Sequence, residues 1–450
     1  MSNFLPSKLL SNLKRDFHID AEEFIQNHLE PAITSIRINP AKDTQQFATC
    51  EQVPWCKEGY YLNDRPIFTL DPLFHAGTYY VQEASSMFIA HIIRTLELDH
   101  QSTISLDLCA APGGKSTLLN STLHPDSLLV ANEIIKTRVT TLANNLTKWG
   151  NHNVIVTNND PTSFKRLPGF FDLMLVDAPC SGSGMFRKDP QSVNEWSEAA
   201  VNLCSQRQQR ILSDSLTTLK TNGILIYSTC SYSIEENEQI VDWLITYHEL
   251  EPIIIPLDAT WGIIETTSPQ HHAPCYRFYP NNVKGEGFFV SCFKKRAPQS
   301  TFNKRKVKLT NARIDKAILN HWIAPDTELE TILFRDETLV IPSQHLVDFQ
   351  SIQNVLYLKK AGTNMGRLSK KELLPHHELA LSNIKSNGIQ QIELSLEQAL
   401  NYLRKIDISL SYSTTGWALA AYKGFALGWM KILPNRMNNY YPKDWRILNL

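Results

Sequence analysis

No apolar run in this chain approaches the ~18–20 residues that a membrane-spanning helix needs. The N-terminus, MSNFLPSKLLSNLKRDF, lacks an apolar central stretch and a small-residue cleavage site. It does not read as a signal peptide, and a cytoplasmic location is expected. None of the eight cysteines stands in a C-x-x-C pair, so a zinc ribbon or thioredoxin-like motif is unsupported and no metal is expected. In a reducing compartment they are free thiols, most of them small buried hydrophobes. A dominant charge is also lacking. The formal net charge is −1, so any contact with nucleic acid must be local. The one basic run, Lys294 to Lys308, holds seven basic residues and no acidic one. A solvated linker and a phosphate-binding strip fit it equally. Internal repeats and low-complexity tracts are absent.

With 450 residues the chain is too long for one hydrophobic core, since cores stop growing near ~250–300 residues. Residues 1–78 mix amphipathic helix signals (SKLLSNLKRDF, AEEFIQNHL) with a short strand (TSIRINP), predicting a small α+β domain. Residues 79–296 alternate apolar strands with helical patterns. The strand candidates are ISLDLCA, SLLVANE, NVIVTNND, FDLMLVDAP and GILIYSTCS. Near-continuous apolar strands separated by helices predict a parallel sheet covered on both faces. That is a doubly wound, Rossmann-like α/β domain, whose ligands sit at the carboxyl ends of the strands. Residues 297–380 comprise the basic linker and an intermediate region without a legible chemical signature. Residues 381–450 carry aromatic and β-branched runs broken by Gly and Asn-rich turns, predicting a small β-rich module.

Asp107-Leu-Cys-Ala-Ala-Pro-Gly-Gly-Lys115 ends the first core strand and opens a helix. Gly113 and Gly114 let the backbone turn tightly and approach a ligand. A Walker A loop would need Gly where Cys109 stands. The Rossmann G-x-G-x-x-G fails too, because Ala110 and Ala111 occupy the early positions. Glu133 closes the second strand and is placed to accept from ribose hydroxyls. Asp160 closes the third and can accept from an adenine amino group. Each acid alone reads better as a helix N-cap. Together with the loop they favour a nucleoside cofactor.

Val176-Asp-Ala-Pro-Cys-Ser-Gly-Ser-Gly184 ends the fourth strand, and Ser228-Thr-Cys-Ser-Tyr-Ser-Ile-Glu-Glu-Asn-Glu238 ends the fifth. In a parallel sheet Cys180 and Cys230 should face one cleft. Both lie in polar, turn-rich sequence, where burial as filler explains them less well than it explains Cys109 or Cys204. Ser233 and Glu236 have capping-box spacing, so a helix is expected to start just after Cys230. Its N-terminus would favour thiolate over thiol. Glu235, Glu236 and Glu238 would oppose that effect and are expected to point away. A thiolate nucleophile, an acid near N3 and a base suffice to methylate carbon 5 of cytosine. Cys230, Asp177 and Cys180 can fill these roles, although spacing alone does not choose between the two cysteines.

LDLCAAPGGKS, VDAPCSGSG and YSTCSYSIEENE closely resemble the motifs of the Sun/Fmu-type RNA cytosine-5 methyltransferases. SIRINP and YYVQEASSMF look like that family's leading motifs, and the match spans residues from about 4 to 296. The tail GWALAAYKGFALGWMKILPNRMNNYYPKDWRI resembles the PUA-like module of the bacterial RsmF-type subgroup, which acts on ribosomal RNA. The resemblance implies an S-adenosyl-L-methionine methyltransferase core. It makes Cys230 the nucleophile, Cys180 the residue that releases the RNA adduct, and Asp177 the acid near cytosine and cofactor. Cys109, Ala110, Ala111, Pro112, Gly113, Gly114, Lys115, Glu133 and Asp160 correspond to cofactor-binding positions. The implied partner is RNA, most readily ribosomal RNA or a ribosomal subunit, and a monomer is expected.

For RNA contacts, Lys423 and Arg436 in the C-terminal module are expected at phosphates. Most of the nearby aromatics (Tyr422, Phe425, Trp429, Tyr440, Tyr441, Trp445) should form the module's own core. Arg187 and Lys188 follow the Cys180 loop and are expected to reach the RNA backbone, with a solvated loop as the alternative. Arg37 is a further expected contact, with a surface salt bridge as the alternative.

Overall fold

The computed structural model describes residues 4–304, 316–325, 328–369, 372–409 and 415–448. Helices Ser7–Phe17 and Ala21–Leu29 lead into a three-stranded antiparallel sheet. Its central strand, Thr34–Ile38, pairs with Gly59–Leu62 on one side and with Tyr79–Val81 on the other.

The main sheet has ten strands. At its centre run five parallel strands: Ile104–Asp107, Leu128–Asn132, Val154–Thr157, Phe171–Asp177 and Leu219–Thr229. Their apolar residues alternate between two covers. Leu173, Leu175 and Ile226 pack into one cluster with Leu118, Leu119 and Leu142 of the helices Gly114–Thr122 and Lys136–Trp149. Met174, Val176, Leu225 and Tyr227 pack into the other with Ile211, Leu212, Ile240 and Leu244. The latter come from helices Glu198–Ser215 and Glu238–His248. The period of two along a strand buried on both faces produces this division.

The chain steps outward from Ile104–Asp107 through the next two strands, then returns to lay Phe171–Asp177 on the other side of it. The carboxyl ends of these two neighbours form the switch point at which doubly wound sheets bind ligands. Antiparallel strands extend both edges. Pro274–Phe278 and Phe288–Lys295 lie beyond Leu219–Thr229, and Leu358–Ala361 pairs with Val154–Thr157. The strand Leu358–Ala361 thus comes from the region that showed no chemical signature in the sequence.

That region also folds a four-stranded sheet of Leu329–Phe334, Glu337–Pro342, Thr363–Ser369 and Glu372–Pro375. A last four-stranded sheet contains Gln391–Glu393, Gly416–Tyr422, Phe425–Leu433 and Arg436–Asn439. Tyr441 is in its core, Trp429 is buried against Trp322, Val340 and Met365 of the preceding region, and Tyr440 is exposed. Among the described residues of the basic run, Lys294 and Lys295 end the strand Phe288–Lys295, while Arg296 and Lys304 are exposed. Lys295 is buried and donates to the carbonyls of Leu216 and Leu219. Arg296 pairs with Glu251, and Lys304 pairs with Asp348. Arg305, Lys306 and Lys308 of that run lie outside the described residues.

Candidate active site

The loop from Leu108 to Gly113 is pinned from several sides. The Ala110 N–H donates to the Asn132 carbonyl (2.8 Å), Arg138 donates to the Ala111 carbonyl (2.7 Å), and Asn145 donates to the Pro112 carbonyl (2.9 Å). Gly113 takes φ +114°, a backbone region that L side chains rarely adopt, and a Cβ there would meet Leu142 at 3.2 Å. The following helix begins at Gly114 and places Lys115 and Ser116 in its first turn.

These two side chains reach the ends of the strands at the switch point. Ser116 donates to Asp107 Oδ2 (2.6 Å), and Lys115 Nζ lies 2.9 Å from Asp177 Oδ2. Asp177 Oδ1 accepts from Ser228 Oγ (2.9 Å) on the neighbouring strand. Lys115 Nζ also sits 5.3 Å from the Phe288 ring centroid. Burial alone would lower the Lys115 pKa. The charge and hydrogen bond of Asp177 outweigh it, Cys230 and Asp107 add to them, and the pKa is raised. Asp107 is fully buried, and its Oδ1 has no hydrogen-bond partner among the described residues. Burial pushes its carboxyl up to about 7, against the Ser116 hydrogen bond and with Asp177 and Glu133 adding to it.

This is a fitting cradle for a zwitterionic sulfonium nucleoside. An orphaned buried carboxylate oxygen, a second carboxylate and a turn ending in two glycines converge at the strand ends. Glu133 is buried beside them, with Oε1 accepting from the Ile135 N–H (2.9 Å) and Oε2 3.7 Å from Arg138. Asp160 differs. It is exposed and caps the short helix Pro161–Arg166, accepting from Thr162 N (3.0 Å) and Oγ1 (2.7 Å). These bonds hold its carboxyl below the usual range.

The two cysteine loops meet in front of this cradle. Phe171–Asp177 and Leu219–Thr229 are parallel neighbours with Asp177 opposite Ser228, so the segments after them emerge side by side. Cys180 Sγ lies 3.2 Å from Cys230 Sγ. The hydrogen bond to Cys230, together with burial, holds the Cys180 thiol well above the ordinary thiol range. The loops touch through backbone as well. The Gly184 N–H donates to the Cys230 carbonyl (2.8 Å), and the Gly287 N–H donates to the Gly184 carbonyl (3.0 Å). A Cβ at Gly184 would stand 2.6 Å from the Gly287 oxygen and 2.8 Å from the Cys230 oxygen, so any side chain there would force the loops apart.

The segment after Cys230 corrects the expected helix start. The α-helix begins only at Glu238, after a short 3-10 turn at Ile234–Glu236, and Ser233 makes no side-chain cap. The macrodipole argument for Cys230 therefore loses its basis, because the effect fades within the first turn. Glu236 and Glu238 do not point away; both are fully buried. Glu238 pairs with Arg277 (2.5 Å). Glu236 accepts from Ser181 N (2.7 Å), Ser181 Oγ (2.6 Å) and Ser231 Oγ (2.5 Å). In the sequence Glu236 reads as a cap partner and as an acid that should point away from Cys230, and Asp107, Ser228 and Phe288 do not stand out as site residues.

Two expected RNA contacts are also overturned. Arg37 is 1% exposed on the inner face of its strand. It donates to Gln82 Oε1 (2.9 Å) and Thr117 Oγ1 (2.6 Å) and stacks 4.5 Å from the Trp149 centroid, so it pins the N-terminal sheet to the core. Arg187 is buried in an ion pair with Glu286 (2.9 Å) and donates to the Gly285 carbonyl (2.7 Å). Neither can reach a phosphate without breaking these bonds. Lys188, Lys423 and Arg436 are exposed.

Residues 93–294 match the family model described as 16S rRNA methyltransferase RsmB/F. Residues 5–84 match the N-terminal domain of 16S rRNA methyltransferase RsmF, and residues 390–447 match the methyltransferase RsmF PUA domain. Ribosomal RNA small subunit methyltransferase F of Shewanella oneidensis is 30% identical, over 95% of this chain and 94% of that protein. Its counterpart in Shewanella piezotolerans is 28% identical, over 97% of this chain and 96% of that protein. A crystal structure of a methyltransferase homolog from Pyrococcus horikoshii is 29% identical with a TM-score of 0.52, covering 65% of this chain and all of that one (100%). With the strand-end cradle and the paired cysteine loops, these likenesses make the chain a member of the RsmB/F family of S-adenosylmethionine-dependent 16S rRNA methyltransferases.

Proposed function

We propose that this protein methylates carbon 5 of a cytosine in small-subunit ribosomal RNA, through a transient bond from Cys230 to carbon 6 of the ring. The observation that carries the reading is the pair of sulfurs 3.2 Å apart beside the Lys115–Asp177 ion pair. S-adenosylmethionine, when bound, supplies an electrophilic methyl group. Asp107 and Asp177 would hold its charged end, Glu133 and Asp160 its ribose and adenine, and the backbone from Cys109 to Gly114 would complete the site.

Carbon 5 of cytosine is too weakly nucleophilic to accept that methyl group unaided. The Cys230 thiolate adds at carbon 6 and pushes the ring electrons toward N3, where the acid form of Asp177 donates a proton and regains it when the ring is restored. Lys115 and Ser228 hold the Asp177 carboxyl group in place for this task. After methyl transfer, Cys180 in its thiolate form takes the proton from carbon 5 while the sulfur–carbon bond breaks, so that the aromatic ring and the Cys230 thiolate return.

The substrate base must be turned out of any helix it occupies, at a cost of roughly a few kcal/mol. Lys188, Lys423 and Arg436 serve as phosphate contacts. We assign the N-terminal RNA-binding part to residues 1–78, the methyltransferase core to 79–296, an intermediate part to 297–380 and the PUA-like module to 381–450. The reading carries with it a cytoplasmic monomer that acts on ribosomal RNA or a ribosomal subunit. Incubation with radiolabelled S-adenosylmethionine and unmodified small-subunit ribosomal RNA, followed by bisulfite mapping, tests it. Label at one or a few cytosines is expected. RNA binding without incorporation would instead make the chain a non-catalytic RNA-binding protein.

A further inference from the structure

We propose that Glu236 is a positioning residue for methyl transfer: it ties the loop after Cys180 to the loop after Cys230 and so sets the separation of the two sulfurs. Each cysteine is followed immediately by a serine, Ser181 or Ser231. Both hydroxyls donate to the same oxygen, Glu236 Oε2, at 2.6 and 2.5 Å. The other oxygen, Oε1, accepts from the Ser181 N–H at 2.7 Å. No lysine or arginine pairs with this carboxylate among the described residues.

A fully buried carboxylate without a cation is costly, and burial pushes its pKa up. Its donors come mainly from the residues that flank the reacting sulfurs. A carboxylate only accepts, so it forces both serines to donate. Ser231 Oγ in turn accepts from the Ser233 N–H at 3.1 Å, and Gln208 ties the Pro179 carbonyl to the same cluster at 3.1 Å. The backbone on each side of the sulfur pair is thereby held through one carboxylate. A glutamine could also donate, which would leave the hydroxyl directions unset. The inference rests on Cys180 and Cys230 being the reacting pair.

Its test uses a measure of sulfur separation that needs no methyl transfer. One glutathione disulfide oxidises the two thiols to the Cys180–Cys230 disulfide and leaves as two glutathione thiols. The equilibrium constant of that exchange reports the effective concentration of one sulfur at the other. It is read on the full chain by mass spectrometry of the linked peptides. In Glu236→Gln we expect the constant to fall about 10-fold or more, kcat to fall about 100-fold and KM for RNA to stay within about twofold, as a misplacement near 1 Å would give. Ser231→Ala, which removes one bond, should move both quantities in the same direction by less, and it carries the test alone if Glu236→Gln does not fold. Values within about twofold of the unmodified protein in both assays would overturn the proposal. Loss of kcat with an unchanged exchange constant would overturn it too, since Glu236 would then act by another route. If the unmodified chain methylates no cytosine but Glu236→Gln still lowers the exchange constant about 10-fold, the proposed activity fails while the hold of Glu236 on the sulfur separation stands.

Discussion

The Sγ atoms of Cys180 and Cys230 lie 3.2 Å apart although 50 residues separate them in the chain. Their strands are parallel neighbours in register, so both loops leave the sheet at one edge. If Cys230 attacks carbon 6 and Cys180 releases the product, the two alanine variants must differ in kind. Cys180→Ala is expected to accumulate a covalent protein–RNA adduct that survives denaturing electrophoresis, while Cys230→Ala forms none. The reverse pattern would show that the roles are exchanged.

The Lys115–Asp177 pair is half-buried and shares Asp177 with Ser228. Lys115→Met leaves the carboxylate with one donor in place of two. A hydrogen bond to a charged group contributes about 1.5–3 kcal/mol, so kcat/KM should fall by roughly 10- to 150-fold. Steady-state kinetics check this, and a change below about threefold would show that the pair is not used.

Arg187 and Lys188 are adjacent and should respond oppositely. Arg187 is 4% exposed in its pair with Glu286, so Arg187→Ala leaves a buried carboxylate alone and should cost about 3–5 kcal/mol of stability. Lys188→Ala should shift stability by less than about 0.5 kcal/mol. If Lys188 touches a phosphate, its loss should reduce the salt slope of RNA affinity by about one. Urea unfolding and filter binding across salt concentrations measure both.

Acid should destabilise the fold through its buried histidines. Burial lowers His28 and His75 from 6.5 to about 4, and His377 to about 3. Between those values the unfolded chain binds more protons than the folded one. Stability is therefore whole above pH 6.5 and is lost as the pH falls toward 4. Each ring contributes of the order of 3 kcal/mol to that loss. Neither His377 ring nitrogen has a hydrogen-bond partner among the described residues, so His377→Leu should flatten the dependence. Thermal unfolding from pH 7.5 to 4 checks it, and a flat profile would contradict the neutral, buried histidines.

Much of the core was legible because its signals are local. FDLMLVDAP reads as a buried strand, and the strand runs Phe171–Asp177. The loop before Lys115 reads as a ligand turn, and Gly113 adopts the conformation its type allows. The strand Leu358–Ala361 was not legible as part of this sheet. Its partner Val154–Thr157 lies some two hundred residues away, and pairing at that distance leaves no mark in a short window. Glu236 was misread for a similar reason. Capping-box spacing describes one turn of chain, whereas its hydroxyl and amide donors include Ser181, 55 residues earlier.

The sequence by itself determined which chemistry stands at the strand ends: a glycine turn, two carboxylates and two cysteines, ordered so that a parallel sheet must bring them to one edge. Only the tertiary structure decided where the charged side chains point. Arg37 and Arg187 turn inward while Lys188 remains in water. A charge is buried only where distant residues supply its partners, and those partners exist only once the chain has folded.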